Sequence, residues 1–170
     1  MVDLVDENGN IVDTKKRRQI NKGSDLYHTV FVVLKTPDNL LILSKIPRRQ
    51  DLPNLYEGAL GPTVSTIRRH QETPETAANR ALKNELFIDT LGLSHLGDSY
   101  SVLPDGHKKY MSVYCGNTSL PDNFSRKDIE ELTVLSRIEI LQDLENYQDK
   151  FSLTFLEIWK NYQQKLFPTK

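Results

Sequence analysis

The dipeptide Thr73-Pro74 constrains this chain more firmly than any other local signal. A hydroxyl at the N-cap can accept a hydrogen bond from a free N–H of the first helical turn. Proline at the first helical position gives up an N–H that has no intrahelical partner anyway. Ala77, Ala78, Ala81, Leu82 and Leu86 then follow at helical spacing, which predicts a helix with a small, apolar face. The stretch 60–88, LGPTVSTIRRHQETPETAANRALKNELFI, thus runs from an apolar strand through a polar, basic loop into a helix with an abrupt start. The remaining segments are read around that unit.

Before it, residues 3–14, DLVDENGNIVDT, predict a hairpin turning at Glu7-Asn8-Gly9-Asn10, because Asn and Gly tolerate positive φ. HTVFVVLK, 28–35, is a β-branched and aromatic run expected to be a buried strand, and LLILSKI continues it as a second strand after the turn Thr36-Pro37-Asp38-Asn39. His28 at the strand mouth reads as a packed or capping histidine. After the unit, 99–103 and 107–115 flank the turn Pro104-Asp105-Gly106. In the second of these, Met111, Val113 and Cys115 alternate with Tyr110, Ser112 and Tyr114, which predicts a half-buried strand. Residues 125–147 show a Ser cap and mixed apolar spacing and end in an amphipathic helix from about Ser136. In the last segment, Phe151, Phe155, Leu156, Trp159 and Leu166 fall on one helix face, as core packing does. Strands, a central helix, more strands and C-terminal helices predict an α+β chain with a mixed sheet between helices.

Length and composition exclude several classes. At 170 residues the chain is long enough for a real core, with no repeat, linker or composition break, so one domain spanning 1–170 is expected. A net charge of −1 gives no whole-chain attraction for polymeric nucleic acid or for a membrane. The longest apolar run, 30–34, is far too short to span a bilayer. Acids at the N-terminus do not suit a secretory signal, and a single cysteine cannot form an internal disulfide, so a cytoplasmic home is expected. Cys115 reads as a core thiol, since nothing local would activate it.

Three basic segments stand out. Lys15-Lys16-Arg17-Arg18 is either a solvated face or an anion-attracting rim. Arg48 and Arg49 lie in the proline-punctuated loop 47–58, where paired guanidinium forks suit a phosphate or carboxylate. Arg68, Arg69 and His70 precede the helix N-terminus, whose free N–H groups already favour anions.

The central stretch resembles the signature box of the Nudix hydrolase superfamily, and the chain as a whole is most similar to its isopentenyl-diphosphate-isomerase-like branch. Glu72, seven residues, then Arg80 matches the box spacing, with Leu82, Glu85 and Ile88 in register. DLVDENGNIVDT, LLILSKIPRRQDLPNLYEGAL and DIEELTVLSRIEIL extend the likeness beyond the box. The resemblance implies an α/β/α sandwich with an N-terminal β-hairpin extension over 1–27 and a box over 61–88. It further implies a metal-dependent hydrolase of a diphosphate-containing small molecule, such as a nucleoside diphosphate derivative.

The box is degenerate. Its paired glycines fall at Ser65 and Thr66 and its later glycine at Phe87; two of its carboxylates are replaced by Ala81 and Asn84, leaving Glu85. Positions 81, 84 and 85 are i, i+3 and i+4, so they share a helix face from which carboxylates would hold a hard cation such as Mg²⁺ or Mn²⁺ against a diphosphate. Glu85 and Glu72 are the candidate catalytic residues, with Glu85, Glu72 and Asn84 as metal ligands. Arg48, Arg49, Arg68, Arg69 and Arg80 are the candidate substrate binders. Glu130 and Glu131 are the nearest replacement bases by chain order. Two readings stay open: a hydrolase with weakened or altered activity, or an inactive module that binds a phosphorylated ligand or a protein partner, with the metal absent.

Overall fold

The computed structural model describes residues 1–47 and 58–168. The predicted N-terminal hairpin forms: β1 (Val2–Val5) pairs antiparallel with β2 (Ile11–Lys15). Its turn is held by Asp6, whose carboxylate accepts from the Asn8 and Asn10 N–H groups at 2.9 Å each. Gly9 takes φ +83°, and a Cβ there would lie 2.3 Å from the Tyr110 ring. Glycine is therefore required twice over, for the left-handed backbone and for the close approach of the turn to the sheet. A short 3-10 helix, Arg17–Gln19, follows β2 directly.

Seven strands form one mixed sheet: β3 (His28–Lys35), β4 (Leu41–Lys45), β5 (Leu60–Gly61), β6 (Val64–Ile67), β7 (Ser94–Val102), β8 (Lys108–Asn117) and β9 (Glu131–Leu135). At its centre β3 runs parallel to β8 in continuous register from His28↔Tyr110 to Lys35↔Asn117. The other edge of β3 is shared. Residues 29–32 pair with β6, whereas Leu34 and Lys35 pair with β4, itself bordered by β5 and β9. Where the partner changes, the Thr63 hydroxyl accepts from the Leu34 N–H at 2.8 Å and donates to the Ile42 carbonyl. One side chain thus satisfies two buried backbone groups that the strand exchange would leave unpaired.

Helices cover both faces, which makes the α/β/α sandwich. Val30, Val32 and Leu34 pack with Ala77, Ala78, Ala81, Leu82 and Leu86 of α1 (Pro74–Leu86). Phe31 and Val33 point the other way, into a cluster with Phe155, Ile158, Trp159, Tyr162 and Leu166 of α3 (Leu153–Leu166). A strand buried on both faces explains why 28–35 is continuously apolar instead of alternating. Ser136 caps α2 (Arg137–Asn146) through a full capping box with Glu139. Among the described residues no helix is long and apolar enough to cross a membrane.

Three expectations need correction. β8 is not half-buried: residues 111–116 are all buried, because β8 has a strand on each edge and helices on both faces. β7 begins at Ser94, well before position 99, and absorbs an irregularity at Gly97. The segment before Ser136 contains β9, which owes its strand to pairing with β4 and not to any strong local alternation.

Candidate functional site

Helix α1 starts as the sequence predicts, with the Thr73 hydroxyl accepting from the Thr76 N–H at 3.1 Å. The loop before it, 68–72, is held from two sides. On one side, Arg80 reaches back from the helix. Its Nε and Nη2 donate to the two Glu72 carboxylate oxygens at 2.7 and 2.8 Å, Nη1 donates to Thr66 Oγ1 at 3.0 Å, and Nη2 also donates to the Ile67 carbonyl at 3.0 Å. Burial alone would raise the Glu72 carboxyl, but the Arg80 hydrogen bonds outweigh it and hold it below its usual range. Glu72 Oε2 also accepts from the Arg69 N–H at 2.9 Å.

On the other side the hairpin grips the loop. Asp3, only 1% exposed, carries the Arg68 guanidinium at 3.5 Å and His70 Nδ1 at 2.6 Å. The Met1 carbonyl accepts from the His70 N–H at 3.1 Å, and Val2 forms a bridge to Arg69. These contacts show how several of the expected site residues are engaged. Glu72, expected as a ligand, has both oxygens occupied. Arg80, expected to hold substrate, lines a cavity and at the same time donates to the loop. Arg68 is ion-paired with Asp3, and the His70 ring lies against the other oxygen of the same carboxylate. Of the three basic loop residues, Arg69 lines the same cavity among the described residues.

That cavity, about 460 Å³, is lined by the basic residues Arg17, Arg69, Arg80 and Lys127, by Asn84, Glu85 and Asp128, and by Ser65 and Thr66. A second cavity of about 290 Å³ shares Ser65, Glu85 and Asp128 and extends to Phe31, Lys109, Ser152 and Thr154. Glu85 and Asp128 therefore stand where the two spaces meet. Burial first, and then the neighbouring Asp128, push the Glu85 carboxyl up to about 8, against the opposing pull of the Ser65 N–H and Arg80. Lys109, lowered by burial, lies 5.9 Å from the centre of the Phe31 ring.

Asp128 escaped the reading of the sequence. It sits in a turn whose Ser125 hydroxyl donates to Asp128 Oδ2 at 2.6 Å and whose Ser125 N–H donates to the Glu85 carbonyl at 2.7 Å. Ile129, 1% exposed, anchors the turn in the core beneath α1. A serine three residues before an aspartate is a local signal for such a turn, but nothing local ties it to Glu85. The bases nearest by chain order, Glu130 and Glu131, lie instead beside Lys45, at 2.9 and 3.9 Å.

Of the helix positions 81, 84 and 85, only the last two reach the cavity. Ala81 is 2% exposed and packs against the sheet. The donors that remain, two carboxylates and the Asn84 amide oxygen, are all hard oxygen groups of the kind that suits Mg²⁺ or Mn²⁺. Among the described residues no three His, Cys, Asp or Glu side chains come together to hold a metal. Arg48 and Arg49 lie outside the described residues. Cys115 is buried, its thiol pushed up by burial, and it lines neither cavity.

Compared by sequence, the chain matches no protein-family model and no curated protein. Compared by structure, it is similar to the DR0079 protein of Deinococcus radiodurans, with a TM-score of 0.75 and 20% identity over 95% of this chain and 98% of that one. A MutT protein from Methanosarcina mazei superposes with a TM-score of 0.64 and 13% identity, covering 82% of this chain and 94% of that one. The NUDIX domain of Shewanella oneidensis NrtR, solved with ADP-ribose, does so with a TM-score of 0.60 and 13% identity over 89% and 94% of the two chains. At these identities the likeness establishes a shared fold.

Proposed function

We propose that this chain is a one-domain Nudix hydrolase that cleaves the diphosphate of a phosphorylated small molecule, with Glu85 and Asp128 as its central pair. One observation carries the reading: two carboxylates meet at the junction of two cavities, close enough that Asp128 raises Glu85, and the larger cavity also presents cations. Like charges brought together, and only partly offset by the Ser65 N–H and Arg80, mark a place built for a cation or a proton. Glu85 and the Asn84 oxygen would hold one Mg²⁺ or Mn²⁺, an ion commonly bound by one or two carboxylates plus substrate phosphates and waters, with Asp128 beside it as the base. When bound, such an ion neutralises phosphate charge and makes a bound water more acidic.

The chain's own residues do the rest. Asp128 Oδ2 is held by Ser125, which leaves Oδ1 to accept a proton from water as the water oxygen attacks phosphorus and the bridging P–O bond breaks toward the leaving phosphate. Arg69 meets phosphate charge, and the Glu72–Arg80 clamp positions the loop that carries it. The docked N-terminal hairpin supports placement in the isopentenyl-diphosphate-isomerase-like branch. Isomerase chemistry is not part of the proposal, because Cys115 lines neither cavity. A single buried, unpaired cysteine suits a cytoplasmic home.

The alternative is a module that binds a phosphorylated ligand without cleaving it. It is favoured by the burial of Ala81 and by the lack of a third acidic ligand among the described residues. Phosphate release from nucleoside diphosphates, prenyl diphosphates and ADP-ribose with Mg²⁺ or Mn²⁺ separates the two. Turnover by the natural protein that falls at least about 100-fold in Glu85→Gln and in Asp128→Asn supports the hydrolase, in line with the loss of a base. Equal traces from all three proteins sink it.

A further inference from the structure

We infer that the N-terminal hairpin supplies half of a phosphate clamp, in which Arg17 and Arg69 together grip a terminal phosphate. The substrate class is therefore a di- or triphosphate monoester with a free end, not a diphosphate esterified at both ends. This deepens the hydrolase reading and rests on it only for the fate of the ligand.

Both arginines line the 460 Å³ cavity, and both also line an adjoining space of about 140 Å³ closed by Met1, Val2 and Ile67. Whole small molecules occupy pockets of about 300–1,000 Å³. The smaller space falls well below that range and takes a group such as a tetrahedral oxyanion, not a nucleoside or sugar. The two guanidinium groups are free to act. Arg80 is neutralised by Glu72 and Arg68 by Asp3, whereas neither Arg17 nor Arg69 has a hydrogen-bonded or ion-paired side chain among the described residues. Two unpaired forks over a space of phosphate size suit the charge of a terminal phosphate, which exceeds that of a phosphate esterified on both sides.

The placement is built in. Arg17 opens the 3-10 helix immediately after β2, and β1 is stapled to the Arg69 loop by the Val2–Arg69 bridge, the Met1–His70 hydrogen bond and the buried Asp3. Hairpin and loop, which carry the two arginines, are therefore bonded directly to each other. Arg18, the next residue, is equally cationic and exposed but lines neither space.

The test is calorimetric titration of the full chain in EDTA with ADP and with ADP-ribose, which share an adenosine diphosphate and differ in whether its end is free. ADP is expected to bind at least about tenfold more tightly. Arg17→Ala and Arg69→Ala should each cost about tenfold in ADP affinity and erase the preference, while Arg18→Ala keeps both. Unchanged melting temperatures show that the exposed substitutions leave the fold intact. Equal affinity for the two ligands, no ADP binding without metal, or a loss in Arg18→Ala as large as in Arg17→Ala overturns the clamp. None of these outcomes bears on hydrolysis, which is read separately from phosphate release in Glu85→Gln.

Discussion

Arg80 and Glu72 meet through two parallel contacts, 2.7 Å from Nε to Oε1 and 2.8 Å from Nη2 to Oε2, and both side chains are largely shielded from solvent. Hydrogen bonds between charged groups at such a site are each worth roughly 1.5–3 kcal/mol. Glu72→Gln keeps the shape and removes the charge, so it should cost about 2 kcal/mol in chemical denaturation. The same variant should loosen amide exchange protection in residues 68–72, because the clamp on that loop would be gone. A variant as stable and as protected as the natural protein would remove the clamp from the account of the site.

The Glu85 carboxyl predicts an unusual pH profile for the metal-free protein. Its folded value of about 8 lies above the ordinary 4.5, so the folded state keeps a proton that the unfolded chain releases. Its contribution to stability is complete below about 4.5 and is lost as pH rises through about 8. In EDTA at pH 8.5, Glu85→Gln should therefore melt at a higher temperature than the natural protein. Adding millimolar Mg²⁺ should reverse the order, since only the natural protein retains the ligand. Identical melting curves with and without metal would remove the cation from the proposal.

His28 acts in the opposite pH range. It is buried, with Nε2 2.6 Å from the Ser112 hydroxyl, which in turn donates to Asp98. Burial first, and then the nearby Arg68, push its imidazole down from 6.5 to about 4. The neutral ring therefore contributes stability that is complete above 6.5 and lost as pH falls through about 4. The full loss amounts to about 3 kcal/mol. His28→Gln should flatten denaturation midpoints between pH 6.5 and 4.5, and an equally steep decline in the variant would assign the acid sensitivity elsewhere.

Restoring a glutamate at position 81 should not restore chemistry. Ala81 is 2% exposed, in the cluster under the sheet, so Ala81→Glu would bury a carboxylate without a partner. The expected cost is roughly 2–4 kcal/mol, with no gain in metal-dependent phosphate release. A gain in turnover would show that α1 can rotate to bring this position to the cavity.

The central unit was legible because its signals are local. Thr73-Pro74 fixes the helix start, the small residues fix its buried stripe, and the continuous run at 28–35 marks a strand covered twice. Spacing also placed Glu85 and Asn84 together on one helix face. It could not orient that face against the sheet, and so Ala81 was grouped with them although it points into the core. Asp128 was out of reach for a different reason. Its nearness to Glu85 depends on the Ser125 N–H docking on the Glu85 carbonyl across 40 residues of chain, by the numbering. The pairing of Arg68 with Asp3 is equally long-range, so the loop looked more cationic than it is. Phe87 is a mixed case. The sequence shows that the resemblance's glycine is missing, yet the backbone keeps the left-handed turn at φ 59°, with the residue 56% exposed. Phe87→Gly should therefore raise stability by up to about 1 kcal/mol, the left-handed strain relieved less the entropy of glycine; a lower denaturation midpoint would contradict it.

Thr63 gives the molecule a hinge point of another kind. By bonding to β3 and β4 at once, it fixes the crotch of a fork from which β5 and β6 diverge. The 290 Å³ cavity takes its wall from both tines, at Gly61, Pro62, Val64 and Ser65, and the 460 Å³ cavity from β6, at Ser65, Thr66 and Ile67. An uncharged hydroxyl in the core thus sets the spacing between the two compartments. The separation of the two cavity walls is held by a side chain that itself lines neither cavity.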